Sequence, residues 1–187
     1  MKIIINESSK TNIVNKSKFI GIVKKVMNEN EAMEILKNIK KEHPSATHIC
    51  YAYILPNNEK CSDDGEPLGT AGLPILDILK KNKLGFTIAI VIRYFGGIKL
   101  GSNGLIRAYS GIIKELLIDN IKEIEIAYLI EINESYDKSD LINYLLKDDI
   151  ILEKEYQDKV NIKAIVKKKT LERLSNVSYQ IINETII

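Results

Sequence analysis

Two clusters of residues in this sequence have types and spacing suited to chemistry. The first is the acidic segment CSDDGEPLGTAGLP, in which Asp63, Asp64 and Glu66 place three carboxylates close together. Carboxylate oxygens bind hard cations such as Mg²⁺, and a pair of carboxylates also serves in acid–base catalysis. A structural interpretation competes: the carboxylates cap the following helix and pair with nearby Arg or Lys side chains.

The second cluster is RYFGGIKLGSNGLIRAYSG, residues 93–111, where an apolar strand leads through a glycine-rich loop into a helix. Backbone N–H groups at such a helix N-terminus bind phosphate. The spacing fits neither GxGxxG nor GxxxxGK[ST], which excludes those nucleotide motifs. The candidate anion or nucleic-acid site comprises Arg93, Gly96, Gly97, Lys99, Gly101, Ser102, Asn103, Gly104 and Arg107.

A tight turn is the alternative for this glycine-rich loop. In that case the glycines permit close packing, and Arg93 and Arg107 pair with the acidic segment instead of facing a ligand. The sequence leaves both interpretations open. His48 and Cys50 lie two residues apart on one face of a strand, but no third catalytic member is visible, and we interpret them as packed strand residues.

Hydrophobic periodicity indicates the elements that position these clusters. The pattern predicts two antiparallel strands, a helix that ends before a proline, a strand, a loop, a second helix, a very apolar strand and a third helix. The two strands lie within residues 3–26, the first helix covers 28–42, the next strand 47–55 and the loop 56–69. The second helix starts at Thr70, the very apolar strand covers 86–94 and the third helix 104–119.

The last third of the chain has a different pattern. A long strand at residues 121–134 precedes a helix, two strands, a second helix and a short strand. This β-α-β-β-α-β order is that of a ferredoxin-like split βαβ unit. We therefore predict an α+β protein with domains at residues 1–120 and 121–187.

Composition limits the class of function. Residues 1–120 hold 17 Lys and Arg against 12 Asp and Glu, whereas residues 121–187 hold 10 against 13. A basic first part places any polyanion contact there. No apolar run reaches the length of a signal peptide or membrane span, and two cysteines without a CxxC favour reduced thiols, so we expect a cytoplasmic protein with no membrane contact and no cofactor.

Four ordered motifs together resemble the IMPACT family, called the YigZ family in bacteria. They are KSKFIG at residues 16–21, HPSATHICYAYIL at 43–55, CSDDGEPLGTAGLPIL at 61–76 and VIRYFGGIKLGSNGLIRAYSG at 91–111. One position departs from the pattern, because Asn103 stands where the family usually has glycine. Asn tolerates a positive φ, so we expect the turn to survive.

The resemblance implies a first domain of ribosomal-protein-like type, similar to domain IV of elongation factor G. It implies a ferredoxin-like second domain, similar to domain V of that factor. Eukaryotic relatives act in translational control. Partners implied are RNA or the ribosome, with DNA also compatible, and a protein of the translation apparatus.

Three hypotheses follow. The first is a nonenzymatic protein associated with nucleic acid or the ribosome, which modulates translation or its stress regulation. The second is a metal-assisted hydrolase or transferase that uses Asp63, Asp64 and Glu66. The third is a protein–protein adaptor whose loops form the docking surface.

Overall fold

The most apolar strand predicted from the sequence lies at the centre of a five-stranded antiparallel sheet. The computed structural model describes all residues from 1 to 187, which divide into two units, residues 1–123 and 124–187. In chain order the first unit contains β1 (Lys2–Ile4), β2 (Ser8–Val14), β3 (Ser17–Lys25), α1 (Glu29–Glu42), β4 (His48–Leu55), β5 (Asn58–Ser62), α2 (Gly72–Lys81), β6 (Thr87–Tyr94), α3 (Gly101–Leu117) and β7 (Ile121–Glu123).

The sheet has the strand order β2-β3-β6-β4-β5. Side chains alternate between the two faces of β6, as they do along any strand. Ile88, Ile90 and Ile92 pack in the cluster that contains α1, whereas the smaller Ala89 and Val91 pack with α2 and α3. The unit therefore has three layers, with one helix on one face of the sheet and two on the other.

Helix α1 has clear sequence signals at both ends. The Asn28 side chain accepts a hydrogen bond from the N–H of Glu31, and the Glu31 carboxylate accepts one from the N–H of Met27. These two bonds satisfy N–H groups that a helix N-terminus leaves free. The helix ends at Glu42, two residues before Pro44, which confirms the predicted end.

Two short strands close the first unit. β1 pairs with β7 in a separate two-stranded sheet. Asn120 is buried beside them, where its amide accepts from the N–H of Asn6 and donates to the carbonyl of Asn6. The sequence pattern predicts one strand over residues 121–134. The structure has two strands instead, one that ends at Glu123 and one that begins at Ile126, because the first pairs with β1 and the second belongs to another sheet.

The second unit has the predicted β-α-β-β-α-β order. It contains β8 (Ile126–Glu134), a 3₁₀ turn, α4 (Ser139–Leu145), β9 (Ile150–Tyr156), β10 (Val160–Lys167), α5 (Lys168–Arg173) and β11 (Tyr179–Ile186). Its antiparallel sheet has the order β11-β8-β10-β9, which is the strand order of a split βαβ unit. The protein is therefore a mixed α and β structure with several sheets.

The two faces of this second sheet differ. Ile130 and Ile132 of β8 pack with Ile162 and Ala164 of β10 and with the two helices. By alternation, the other face of these central strands carries Ala127, Leu129, Glu131, Asn133, Asn161, Lys163, Ile165 and Lys167. None of these is aromatic. The edge strand β9 exposes Ile150, Ile151 and Leu152 in succession.

Two boundaries in the first unit differ from the sequence prediction. The segment predicted as loop contains β5, which pairs with β4. Helix α3 starts at Gly101, earlier than the predicted start at Gly104. No helix is long and apolar enough to span a bilayer.

Candidate anion and nucleic-acid site

Asp63 caps helix α2. One carboxylate oxygen accepts hydrogen bonds from the N–H groups of Ala71 and Gly72, at 2.9 and 2.8 Å, and the other accepts one from Gly69 at 2.8 Å. The helix has no side-chain cap from the residue that precedes it. A negative charge at a helix N-terminus is also favoured by the helix dipole. For Asp63 the structural interpretation is confirmed.

Asp64 holds the acidic segment against β4. Its carboxylate accepts a hydrogen bond from the N–H of Ile49 at 2.7 Å and lies 3.5 Å from the ammonium of Lys40. Its φ is 44°, in the left-handed region that Asp tolerates better than most residues. The carbonyl of Asp64 is 2.8 Å from Nδ1 of His48, so that nitrogen carries the proton and donates.

Glu66 forms a buried ion pair with Arg93. Oε1 of Glu66 is 2.6 Å from Nη1 of Arg93 and accepts a second bond from the hydroxyl of Tyr109 at 2.7 Å. The side chains of Glu66 and Arg93 are only 3% and 6% exposed. The guanidinium also contacts the rings of Phe19 and Phe95, whose centroids are each 5.4 Å away. Arg93 therefore pairs with the acidic segment and is not a free charge.

The three carboxylates do not form a metal site. Each turns to different partners, and in the whole chain no three His, Cys, Asp or Glu side chains are grouped to hold a metal ion. The metal-assisted hypothesis for Asp63, Asp64 and Glu66 therefore gains no support from their arrangement. The segment folds back on itself, and its carboxylates satisfy backbone N–H groups and one buried arginine.

Cys50 is not a nucleophile in this arrangement. It is fully buried on β4, and its Sγ donates to the carbonyl of Asp63. Burial raises the pKa of the Cys50 thiol to about 12, so the thiolate that nucleophilic chemistry requires is not formed near neutral pH. Burial also raises the pKa of Tyr109, which keeps its hydroxyl protonated as a donor to Glu66.

The glycines of the loop have separate roles. A Cβ on Gly96 would lie 2.0 Å from the carbonyl carbon of Lys16, so no side chain fits there. Gly97 and Gly101 have φ values of 83° and 69°, which glycine adopts without strain. Asn103 lies inside the first turn of α3 and has no positive φ, so the conformational tolerance that we expected it to provide is not used.

A pocket of about 420 Å³ opens at the N-terminus of α3, and we call it the α3 pocket. No acidic residue lies in the first turn of α3, and no side chain caps its N–H groups. Lys99 is exposed at the rim, and the Phe95 ring is 47% exposed. The lining consists of Thr47, His48, Glu66, Pro67, Arg93, Phe95, Lys99, Leu100, Gly101, Ser102 and Leu105.

Arg107 does not join this pocket. Together with Gly104 it lines a different cavity, beside Asn12 and Glu115. Helical geometry explains the separation, because residues 102 and 107 are five positions apart and lie on different sides of α3. The expectation that three cations surround one helix N-terminus is therefore wrong: Arg93 is neutralised, Arg107 lies elsewhere, and Lys99 remains.

Comparisons with known proteins agree with this architecture. The family model described as the Impact N-terminal domain matches residues 15–117. The IMPACT family member YvyE of Bacillus subtilis (strain 168) is 39% identical over 177 residues, which cover 91% of this chain and 82% of the relative. The chain belongs to the IMPACT family.

Two further matches differ in how much of this IMPACT-family chain they cover. The family member YigZ of Escherichia coli (strain K12) is 38% identical over 109 residues, covering 56% of this chain and 53% of the relative. A solved structure described as a hypothetical protein matches 96% of this chain and 95% of its own, with a TM-score of 0.65 and 28% identity. The structural match thus includes both units.

Two residues of the α3 pocket, His48 and Phe95, were not among the predicted site residues. His48 was interpreted as a packed strand residue, yet it is half-buried, and its Nε2 lies 3.9 Å from the Glu66 carboxylate. Phe95 covers Arg93 with one face of its ring and is fixed by a bond from its N–H to the hydroxyl of Thr47. The dipeptide Thr47-His48 was the available sequence signal for these residues, because His48 lies opposite Arg93 in the sheet. Recognising it requires the register between β4 and β6, which the sequence does not show.

Proposed function

We propose that this IMPACT-family protein is a nonenzymatic RNA-binding protein associated with the translation apparatus. The family resemblance supports the link to translation, because eukaryotic relatives act in translational control. The ribosomal-protein-like and elongation-factor-like character that we expected for the two domains belongs to the same proposal. Binding uses the first unit and requires no metal or cofactor.

The observation that carries this proposal is the composition of the α3 pocket. The free N–H groups of the first turn of α3, the hydroxyl of Ser102 and the ammonium of Lys99 are donors. The one acidic residue that lines the pocket, Glu66, is paired with Arg93. A phosphate group matches these donors in charge and in hydrogen bonding. Arg93 does not contact the phosphate, but it fixes the loop that presents these donor groups.

The exposed ring of Phe95 supports a nucleic acid over a simple anion. The Arg93 guanidinium lies over this ring, 5.4 Å from its centroid, while 47% of the residue stays exposed. A base of single-stranded RNA stacks on such a ring beside a bound phosphate, and the interaction tolerates any base. The pocket volume of about 420 Å³ is in the range of sites that bind small molecules and nucleotides.

The second unit does not offer the corresponding surface. Sheets with this topology bind RNA through aromatic side chains on the central strands. The outward face of β8 and β10 has none. The acidic balance of residues 121–187 also opposes phosphate. RNA contact is therefore assigned to the first unit.

The test measures the binding of a fluorescein-labelled single-stranded RNA by anisotropy at several salt concentrations. With Lys99→Ala we expect weaker binding and a slope of log K against log salt that is smaller by about 0.7, the value for one phosphate contact on a single strand. The matched control is Arg107→Ala, which removes one exposed cation of the same unit outside the pocket. The control is expected to leave affinity and slope unchanged.

Phe95→Ala separates stacking from charge. Loss of one base–aromatic stack is expected to weaken binding by about 1–3 kcal/mol with the salt slope retained. Equal effects of Lys99→Ala and Arg107→Ala would show a diffuse basic surface and contradict the pocket. Absence of RNA binding, and of co-sedimentation with ribosomes at low salt, would end the proposal.

A further inference from the structure

A groove separate from the α3 pocket lies on the opposite face of the first sheet. Five strands about 4.8 Å apart place the outer two roughly 19 Å from each other, whereas one helix with side chains is about 10 Å wide. On one face two helices, α2 and α3, cover this width. On the other face α1 is alone, so the sheet surface on either side of it forms a groove.

The two grooves differ in charge. The groove beside β2 and β3 is lined by Glu7, Lys24 and Glu42, and Lys24 lies 3.3 Å from Glu7, so both signs are present and partly paired. The groove beside β4 and β5, which we call the α1 groove, has a volume of about 500 Å³ and three lysines. Its principal residues are Met33, Leu36, Lys37, Lys40, Lys41 and Tyr51.

The spacing of the α1 residues gives the groove a defined shape. Positions 33, 36, 37, 40 and 41 form one stripe along the helix, adjacent to the buried stripe of Ala32, Leu36 and Ile39. Met33 is 41% exposed. The stripe is thus apolar at its start, with Tyr51 of β4 as its floor, and cationic along the rest.

The lysines of the groove are in excess over its one carboxylate. Asp64 lies 3.5 Å from Lys40, but the same carboxylate accepts a hydrogen bond from the N–H of Ile49. Lys37 and Lys41 also line the groove, and neither forms an ion pair. The carboxylates of a bound partner would pair with these two lysines, and Asp64 is the only negative charge in the groove that would repel them.

We infer that the α1 groove binds an acidic amphipathic helix of a partner protein. Apolar side chains of that helix pack on Met33, Leu36 and Tyr51, and its flanking carboxylates face Lys37 and Lys41. This is helix-in-groove recognition, in which the apolar face gives area and the charges give orientation. A nucleic acid would satisfy the lysines but would leave the apolar side chains of Met33 and Leu36 without a partner.

The test uses a synthetic 16-residue peptide with Leu at helical spacing on one face and Glu elsewhere, labelled with fluorescein. Binding to the full chain is measured by anisotropy, and amide chemical shifts of ¹⁵N-labelled protein map the site. We expect shifts confined to α1, β4 and β5. The double variant Lys37→Glu/Lys41→Glu is expected to weaken binding by about tenfold or more, because two attractions become repulsions.

The matched control is Lys81→Glu/Lys114→Glu, which makes the same change in net charge near the ends of two other helices. It is expected to leave peptide affinity unchanged, as is Lys99→Ala in the α3 pocket. A peptide with its Leu replaced by Ser is expected not to bind. Circular dichroism and the thermal midpoint check that each variant is folded.

Several outcomes would overturn the inference. Equal weakening by the groove and control variants would show a nonspecific charge effect. Shifts outside α1, β4 and β5 would place the peptide elsewhere. Retained binding of the Ser peptide, or RNA binding that depends on Lys37 and Lys41, would assign the surface to a polyanion. Self-association that fails in the groove variant would assign it to a second copy of the chain.

Discussion

Arg93 directly precedes the glycine-rich loop, where a ligand-binding residue is expected, but its contacts are those of a structural residue. Its guanidinium joins the end of β6 to the acidic segment through Glu66 and contacts two aromatic rings. Within the buried pair, each charge depends on the other, because a single buried ion has neither water nor a counterion. The pair therefore fixes both loops relative to each other.

We predict that Glu66→Ala and Arg93→Ala each reduce the free energy of unfolding by about 3–5 kcal/mol, measured by urea unfolding. The double variant Glu66→Leu/Arg93→Met is expected to lose less than the sum of the two, because it leaves no unpaired charge. The exposed pair Lys10–Glu115 is the control, and Lys10→Ala is expected to change stability by less than about 1 kcal/mol. Additive effects would contradict a coupled pair.

Glu134 supports a pH prediction in the second unit. Its carboxylate accepts bonds from Lys138 and from the N–H of Ser178, both at 2.8 Å, and the first of these chiefly lowers its pKa to about 2 from the ordinary 4.5. A lowered folded-state pKa stabilises the protein above pH 4.5, and that contribution disappears as the pH falls to about 2.

Glu134→Gln should therefore lower the thermal midpoint at neutral pH, and this effect should vanish as the pH falls through about 2. Calorimetry across this range checks the expectation. Glu131→Gln is the control, because Glu131 lies on the same strand, is exposed and forms no ion pair. A difference between Glu134→Gln and the unaltered chain that does not change with pH would contradict a contribution from the ionised carboxylate.

At the scale of elements, the acidic segment acts as an external cap for α2. Asp63 supplies the acceptor for three N–H groups that the helix and its preceding turn leave free. The two residues before the helix, Thr70 and Ala71, do not supply one. Asp63, eight positions before the N-cap position Ala71, thus accepts the hydrogen bonds that an N-cap side chain accepts in α1.

We predict that Asp63→Ala reduces stability by at least about 2 kcal/mol, because the loss of a cap and of acceptors for buried donors add together. Asp77→Ala, on the exposed side of α2, is expected to stay within about 0.5 kcal/mol. Urea unfolding of both variants tests the difference. Equal stability of the two would show that the N–H groups of α2 find other acceptors.

Local signals explain which elements were predictable. Asn28 and Pro44 mark the ends of α1, and the unbroken apolar run of β6 marks a central strand, so the sequence predicts both. β5 was missed because its residues are polar and its identity comes from pairing with β4. The partners of Arg93 were left open because Glu66 is 27 residues away, and only the fold brings them together.

At the scale of the molecule, the two units have separate cores. The clusters around β6 involve only residues of the first unit, and the cluster around β8 and β10 only residues of the second. Such units fold independently when their boundary leaves each sheet intact. Here the boundary follows β7, which pairs with β1.

A fragment of residues 1–123 is therefore expected to fold and unfold cooperatively. A fragment of residues 1–117, the end of the family match, is expected to have a lower thermal midpoint, since it lacks β7 and buried Asn120. Circular dichroism melting curves compare the two. Identical midpoints would show that β1 and β7 contribute nothing to the stability of the first unit.

The edge of the second sheet has a practical consequence for handling the protein. Strand β9 has one neighbour, and its first three residues, Ile150, Ile151 and Leu152, are exposed side by side. Unprotected edges of this kind recruit the same edge of another molecule, which leads to precipitation in concentrated stocks. The charged run Glu153, Lys154 and Glu155 that follows limits how far such strand addition extends.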